Sequence, residues 1–190
     1  MKAILKVIQL HKNNTSLIKK AATNNREAQQ QLFDAHASKM LSVCRYYVKD
    51  IHKAEEVMLN GFLKAFTNLD QFQDIGSFEG WLRKIMVREA ISYLRQAKNI
   101  EFSMETVESS DSYNNVYSNM EVAEIQQLID QLPEGYKMVF VMYAIEGYKH
   151  QEIAEMLQIS EGTSKSQLFK ARKQLQQEIN ALNTTHYGSK

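Results

Sequence analysis

The chain is poor in the residues that build disulfide scaffolds, and it has no apolar run long enough to cross a membrane. Its 190 residues include 1 cysteine, 1 proline and 7 glycines. The single cysteine, Cys44, excludes an intrachain disulfide, and its apolar neighbours at helical spacing predict a buried thiol. No stretch approaches the roughly 18 consecutive apolar residues of a membrane span, and the first apolar run is too short for a signal peptide. We therefore expect a cytoplasmic protein.

Period-two alternation is also missing, and helical periodicity takes its place. Apolar residues recur at intervals of three and four from Leu17 to Ala97 and again from Val122 to Ile179. The intervening stretch is rich in serine, asparagine and acid and shows no period, which is typical of a tether. The sequence thus predicts an all-α protein with two small helical domains joined by a flexible linker. We place the first domain at residues 17–97, the linker at 98–120 and the second domain at 121–182.

The net positive charge of the chain is small, and its charged residues are unevenly distributed. The formal net charge is +1. Residues 1–97 carry 15 Lys and Arg against 9 Asp and Glu, whereas 98–120 carry 1 against 4 and 121–190 carry 7 against 9. Overall charge is therefore no evidence for nucleic-acid binding, which has to be inferred from local clusters.

Motifs for catalysis or cofactor binding are missing as well. The five histidines show no paired metal-ligand spacing, and no glycine cluster continues into a Lys-Ser or Lys-Thr phosphate loop. We expect no catalytic residue, no metal site and no other cofactor, and therefore not an enzyme.

The most informative feature is a pair of predicted helices, 149–157 and about 161–179, separated by only three residues. The first has an apolar face, and the second follows Ser160, a residue type that caps helix amino termini. This arrangement is typical of a helix-turn-helix. Gln158 departs from an ideal turn, because it stands where glycine would be easiest and a left-handed conformation there would cost about 1–2 kcal/mol.

The second of these helices is basic. It has no acid between Glu161 and Glu178, and it carries four Lys and Arg residues in that interval. A basic face on a lone helix is usually just solvated, but on the second helix of a helix-turn-helix it favours DNA contact. We expect the face to enter the major groove through Lys165, Ser166, Phe169 and Lys170.

Basic and aromatic residues also lie together in the predicted first domain. A basic group lies around and just after Phe72, Phe78 and Trp81, and it consists of Arg83, Lys84, Arg88, Arg95 and Lys98. Aromatic rings that stack on bases, beside cations that hold phosphates, suit single-stranded nucleic acid. The helical spacing of Phe78 and Trp81 favours a place in the core for their rings, and direct base contact by Trp81 remains the alternative.

Two parts of the chain resemble the extracytoplasmic-function group of bacterial sigma factors. The first is AEEVMLNGFLKAF (Ala54 to Phe66) followed by GSFEGWLRKIMVREAISYLR (Gly76 to Arg95). The second is LPEGYKMVF (Leu132 to Phe140) followed by EGYKHQEIAEMLQISEGTSKSQLFKARKQL (Glu146 to Leu175). Together they span most of the chain.

This resemblance implies a factor that binds core RNA polymerase and directs promoter-specific transcription initiation. It implies that a helix docks on the clamp of the polymerase through Glu55, Glu56, Leu59 and Phe62. It implies that the minus-ten promoter element is opened and read through Phe78, Trp81, Arg83, Lys84 and Arg88. It implies that the minus-thirty-five element is contacted by His150, Gln151, Lys165, Ser166, Phe169 and Lys170. An anti-sigma factor is a further partner compatible with the family.

Two other functions remain open from the residues alone. One is a helix-turn-helix transcriptional regulator that binds DNA independently of core polymerase and uses its first domain for ligand sensing or dimerisation. The other is a helical scaffold that binds only proteins. Promoter-specific transcription with core polymerase separates the three.

Overall fold

The structure, a computed structural model, describes residues 15–72, 76–97 and 122–187. Every regular element in those three ranges is helical. The helices are α1 (15–22), α2 (Arg26–Tyr47), α3 (Ile51–Thr67), α4 (Phe78–Ala97), α5 (Val122–Gln131), α6 (Glu134–Phe140), α7 (His150–Leu157) and α8 (Glu161–Tyr187). A short 3₁₀ helix, Leu69–Gln71, follows α3, and a π-helical turn, Val141–Ile145, continues α6. The all-α prediction is confirmed.

The chain divides into two compact units, Met1–Tyr93 and Leu94–Lys190. The predicted linker, 98–120, lies outside the described residues, and the predicted domain boundaries remain predictions. Among the helices described, none is long and apolar enough to span a bilayer.

In the first unit, side chains at the helix starts fix where α2 and α3 begin. Asn25 Oδ1 accepts a hydrogen bond of 2.8 Å from the Ala28 amide, and Asp50 Oδ1 accepts one of 3.0 Å from the Lys53 amide. Each satisfies a backbone donor that the first turn of a helix leaves without a partner. The two helices then pack against each other, with Cys44 fully buried as predicted.

Helix α4 packs closely on α3 because a glycine faces it. A Cβ atom on Gly61 would lie only 2.9 Å from Cε of the fully buried Met86. One turn further along, Lys64 Nζ lies 2.6 Å from Glu89 Oε1. A small residue and an ion pair thus hold α3 and α4 together.

The second unit is built around α8, against which α5, α6 and α7 all pack. Leu128 of α5 and Leu132, which follows that helix directly, meet Ala171 and Leu175 of α8 in one buried cluster. Gly147 lies two residues after the π-helical turn, and its φ of 78° is accessible to glycine without strain. The chain then reverses, and the Tyr148 amide donates to the Met142 carbonyl at 2.9 Å.

Candidate nucleic-acid and polymerase interfaces

Helices α7 and α8 form a helix-turn-helix whose turn is closed by local hydrogen bonds. Gln158 adopts the left-handed conformation, with φ 58° and ψ 44°, and the Ile159 amide donates to the Ala154 carbonyl at 3.1 Å. Ser160 Oγ accepts from the Thr163 amide at 2.9 Å and so caps α8. The predicted turn, its strained glutamine and its serine cap are all confirmed.

The exposed face of α8 contains only part of the expected set. Lys165 is exposed and pairs with Glu161 one turn earlier, with Nζ and Oε1 2.9 Å apart. This hydrogen bond holds the pKa of Glu161 below its ordinary value. Phe169 and Lys170 are half-buried. Of the expected residues on α8, only Lys165 is exposed, and it lies near the start of the helix.

Ser166 requires a correction. It is only 3% exposed, and its hydroxyl donates to the Thr163 carbonyl at 3.0 Å. A serine side chain in a helix often bonds the backbone one turn back, which uses its only proton. Its position on α8 is as expected, but its side chain is not presented to DNA.

At the start of α7, Gln151 is exposed while His150 is half-buried. His150 Nδ1 lies 2.9 Å from Ser164 Oγ, and the imidazole stacks on Tyr143 with ring centroids 4.6 Å apart. The guanidinium carbon of Arg172 lies 5.5 Å from the same tyrosine ring centroid. Tyr143 and Ser164 were not among the residues that the sequence singled out: Tyr143 lies between the two quoted parts of the second segment, and Ser164 lies within that segment but apart from the expected contact residues.

Three aromatic rings form a cluster where the 3₁₀ helix leads into α4. The centroids of Phe72, Phe78 and Trp81 are 5.6–5.7 Å apart in each pair. Phe78 is only 3% exposed, so its ring lies in the core, as its helical spacing predicted, and the direct role at the minus-ten element that the resemblance implied for it is corrected: it is the floor of the cluster. Phe72 and Trp81 are half-buried and line its open side. The sequence had already placed Phe72 beside these cations, but it lies between helices, outside the periodic pattern, and was not among the residues expected at the minus-ten element.

The basic residues of α4 follow this cluster. Lys84 and Arg88 are exposed and lie one helical turn apart, while Arg83 is half-buried. A strip of positive charge therefore runs along α4 away from the aromatic cluster.

An ion pair fixes the start of α4 against α2. Lys39 Nζ lies 2.8 Å from Glu79 Oε2, and this bond lowers the pKa of Glu79. His36 Nδ1 lies 3.9 Å from the same carboxylate oxygen, and its ring meets the edge of Phe78 at 5.4 Å. Burial lowers the pKa of His36 despite the acid nearby. These contacts of Glu79 and His36 hold the start of α4, and with it the aromatic cluster, against α2.

Helix α3 presents an apolar ridge with acidic neighbours. Leu59 is 54% exposed and Leu63 is 63% exposed, and a spacing of four places them side by side. Glu56 is exposed and Glu55 is half-buried on the same helix. Leu63 was missed by the sequence reasoning, although the step of four from Leu59 could have revealed it.

Phe62 was also expected on this face, and the structure corrects that expectation. It is 2% exposed and lies against Phe33, with ring centroids 4.7 Å apart. Its position on α3 turns it towards α2, so it supports the ridge from the core. Over the ranges that the structure covers, no group of histidine, cysteine and acidic side chains could hold a metal ion.

Comparison with known proteins identifies both units. The family model for Sigma-70 region 2 matches residues 32–100, and the model for Sigma-70, region 4 matches residues 123–175. The chain is similar to the ECF RNA polymerase sigma factor SigW of Bacillus subtilis, at 25% identity over 179 residues, which are 87% of this chain and 96% of the relative. It is also 29% identical over 133 residues to the RNA polymerase sigma factor SigV of the same organism, with 67% and 76% of the two chains covered.

The chain belongs to the extracytoplasmic-function sigma factors of the sigma-70 family. This sigma factor directs transcription initiation by RNA polymerase. Its fold resembles that of RpoE in a complex with the anti-sigma factor NepR from Bartonella quintana, with a TM-score of 0.53, 19% identity and coverage of 80% and 96%. It also resembles CnrH in a complex with the cytosolic domain of CnrY, with a TM-score of 0.51, 23% identity and coverage of 87% and 96%.

Proposed function

We propose that this sigma factor uses three separate surfaces during initiation: α8 for the minus-thirty-five element, the aromatic cluster with α4 for the minus-ten element, and the α3 ridge for the polymerase clamp. The observation that carries the proposal is the capped helix-turn-helix, which presents Lys165 at the start of α8. The major groove admits an α-helix, and its base edges differ for all four base pairs.

At the minus-thirty-five element, Lys165 and Gln151 are the leading candidates for contact because both are exposed at the helix starts that face the groove. Phe169 and Lys170 lie further along α8 and contribute apolar and phosphate contacts. Ser166 is left out because its side chain is buried. A good bidentate contact to a base discriminates by about 1–3 kcal/mol, so a few side chains are enough.

At the minus-ten element, Trp81 and Phe72 form the platform on which an unpaired base stacks, with Phe78 beneath them. Lys84 and Arg88 hold the phosphates of the separated strand. Opening the duplex costs about 1.4 kcal/mol per base-pair step, while stacking on an aromatic ring contributes about 1–3 kcal/mol per base. Capture of one or two bases therefore offsets opening of comparable extent, and no nucleotide hydrolysis or other covalent chemistry by this chain is needed.

The α3 ridge docks on the polymerase. Burying a leucine contributes about 1.5–3 kcal/mol, and Leu59 and Leu63 are both largely exposed to water in this chain. Glu55 and Glu56 beside them favour a partner surface with positive charge. We place this docking in the cytoplasm, where the polymerase works.

Two promoter contacts on one polymerase reinforce each other. Once the first is made, the second becomes intramolecular, and its effective concentration rises to about the millimolar range for a short linker.

Because two relatives of this fold were solved with partner proteins, one of them an anti-sigma factor, we also propose that such a partner binds this chain and covers these surfaces.

The test is reconstituted transcription with core polymerase and a promoter library that varies both elements. We expect the purified chain to bind core polymerase and to select one pair of elements. Leu59→Lys and Leu63→Lys should each abolish polymerase binding without unfolding the chain, because both side chains are exposed. Gln31→Lys, which adds the same charge at an exposed position of α2, is the matched control. Sequence-specific duplex binding with no binding to core polymerase would instead identify an independent regulator.

A further inference from the structure

His150 lies at the joint between three elements of the second unit. It is the first residue of α7, its Nδ1 lies 2.9 Å from Ser164 Oγ of α8, and its ring stacks on Tyr143 of the π-helical turn with an interplanar angle of 24°. Ser164 is fully buried and directly precedes Lys165. The hydrogen bond therefore fixes the backbone next to the residue that we assign to the minus-thirty-five element.

The charged groups around His150 favour a neutral imidazole. Helix α8 contributes Lys165, Arg172 and Glu161, and the π-helical turn contributes the uncharged ring of Tyr143. Burial first, and then the two cations, lower the pKa of His150 below its ordinary value, and Glu161 only partly opposes them. A protonated ring would also change its bonding to Ser164, because both ring nitrogens would then be donors.

We propose that His150 is a positioning residue for promoter recognition: its hydrogen bond to Ser164 and its stack on Tyr143 set α8 in the orientation that presents Lys165 to the minus-thirty-five element. It does not read a base. This role rests on the proposed recognition of that element by α8.

A pair of substitutions distinguishes positioning from base contact. Ser164→Ala leaves the imidazole nitrogen without its partner, and His150→Phe keeps a ring on Tyr143 but leaves the buried hydroxyl without its partner. We expect each to weaken binding to the element by about three- to tenfold, the range of one lost hydrogen bond. The double variant removes both polar groups and should recover most of the binding, because loss of a complete pair is far less harmful than loss of one member.

The double variant is decisive because Ser164 cannot touch DNA. If His150 contacted a base, the double variant would be at least as defective as His150→Phe, and the positioning role would be overturned. Gln151→Ala is the matched control: this exposed neighbour is assigned a base contact, so Ser164→Ala should not rescue it. Circular dichroism of each variant reports whether it folds.

A pH profile supplies a second measurement on the unmodified chain in complex with core polymerase. With a lowered pKa, the neutral form is fully populated above the ordinary value of 6.5, and binding should weaken as pH falls through the lowered pKa. The His150→Phe profile should be flat. Binding that strengthens on acidification would mean that a protonated His150 holds a phosphate, and would overturn the proposal.

Failure of this inference and failure of the proposed function have different signatures. Wild-type chain that initiates without any dependence on the minus-thirty-five element refutes recognition by α8, and this role with it. Normal dependence on the element, with no recovery in the double variant, refutes the positioning role alone.

Discussion

Replacing Gln158 with glycine should stabilise the helix-turn-helix. Gln158 has φ 58° and ψ 44°, and its exposed side chain projects from the turn that joins α7 to α8. The side chain of an L-residue makes the left-handed conformation unfavourable by about 1–2 kcal/mol, because Cβ lies too close to the following carbonyl oxygen. Glycine has no Cβ, so Gln158→Gly removes this strain while keeping the backbone hydrogen bonds.

The expected gain is smaller than the strain, because glycine also gives the unfolded chain more freedom. That freedom costs about 0.5–1 kcal/mol on folding. The net effect should be a stabilisation of about 0.5–1 kcal/mol. For a unit of this size, it corresponds to an increase in Tm of roughly 2–8 °C.

The assay is hydrogen exchange of the amides of α7 and α8 in the full chain, which reports the free energy of unfolding of this unit by itself. Gln158→Asn should give part of the gain, since asparagine tolerates the left-handed region, and Gln158→Ala should give none, since alanine keeps the Cβ. Glu155→Gly, at an exposed position inside α7, should destabilise the unit by about 1 kcal/mol. A loss of stability in Gln158→Gly similar to that in Glu155→Gly would refute the reasoning.

Three further changes test other parts of the structure. Lys165→Ala should weaken binding to the minus-thirty-five element and its sequence discrimination, while core polymerase still binds. Lys173→Ala, which removes the same charge about 12 Å along α8, should keep the discrimination. Equal loss of promoter and polymerase binding by Lys165→Ala would contradict the assignment. Asn25→Ala should cost about 1 kcal/mol in denaturant unfolding because α2 loses its cap, and an unchanged midpoint would contradict the cap. The hydrogen bond from the Lys53 amide lowers the pKa of Asp50. The stability that this cap contributes is therefore complete above pH 3.8 and is lost as the pH falls through the lowered pKa. Acid titration of Asp50→Asn should lack this loss.

The sequence predicted the features that depend on near neighbours. The serine cap of α8, the left-handed Gln158 and the short turn involve groups no more than five residues apart. Backbone sterics and capping act over that distance, so residue type and spacing are sufficient to predict them. The two segments that resemble sigma factors also predicted the function, because the matching residues occur along the chain in the same order as in that family.

Tertiary packing decided which side chains of the predicted faces are accessible. Phe62 and Phe78 lie in the predicted helices, yet neighbouring aromatic rings enclose both, whereas Leu63 remains exposed. The contact of His150 with Tyr143 and Ser164 joins residues 7 and 14 positions away along the chain. A helical period predicts on which side of its helix a residue lies. Whether another element covers that side depends on where distant segments pack, and this determines which residues can meet DNA or the polymerase.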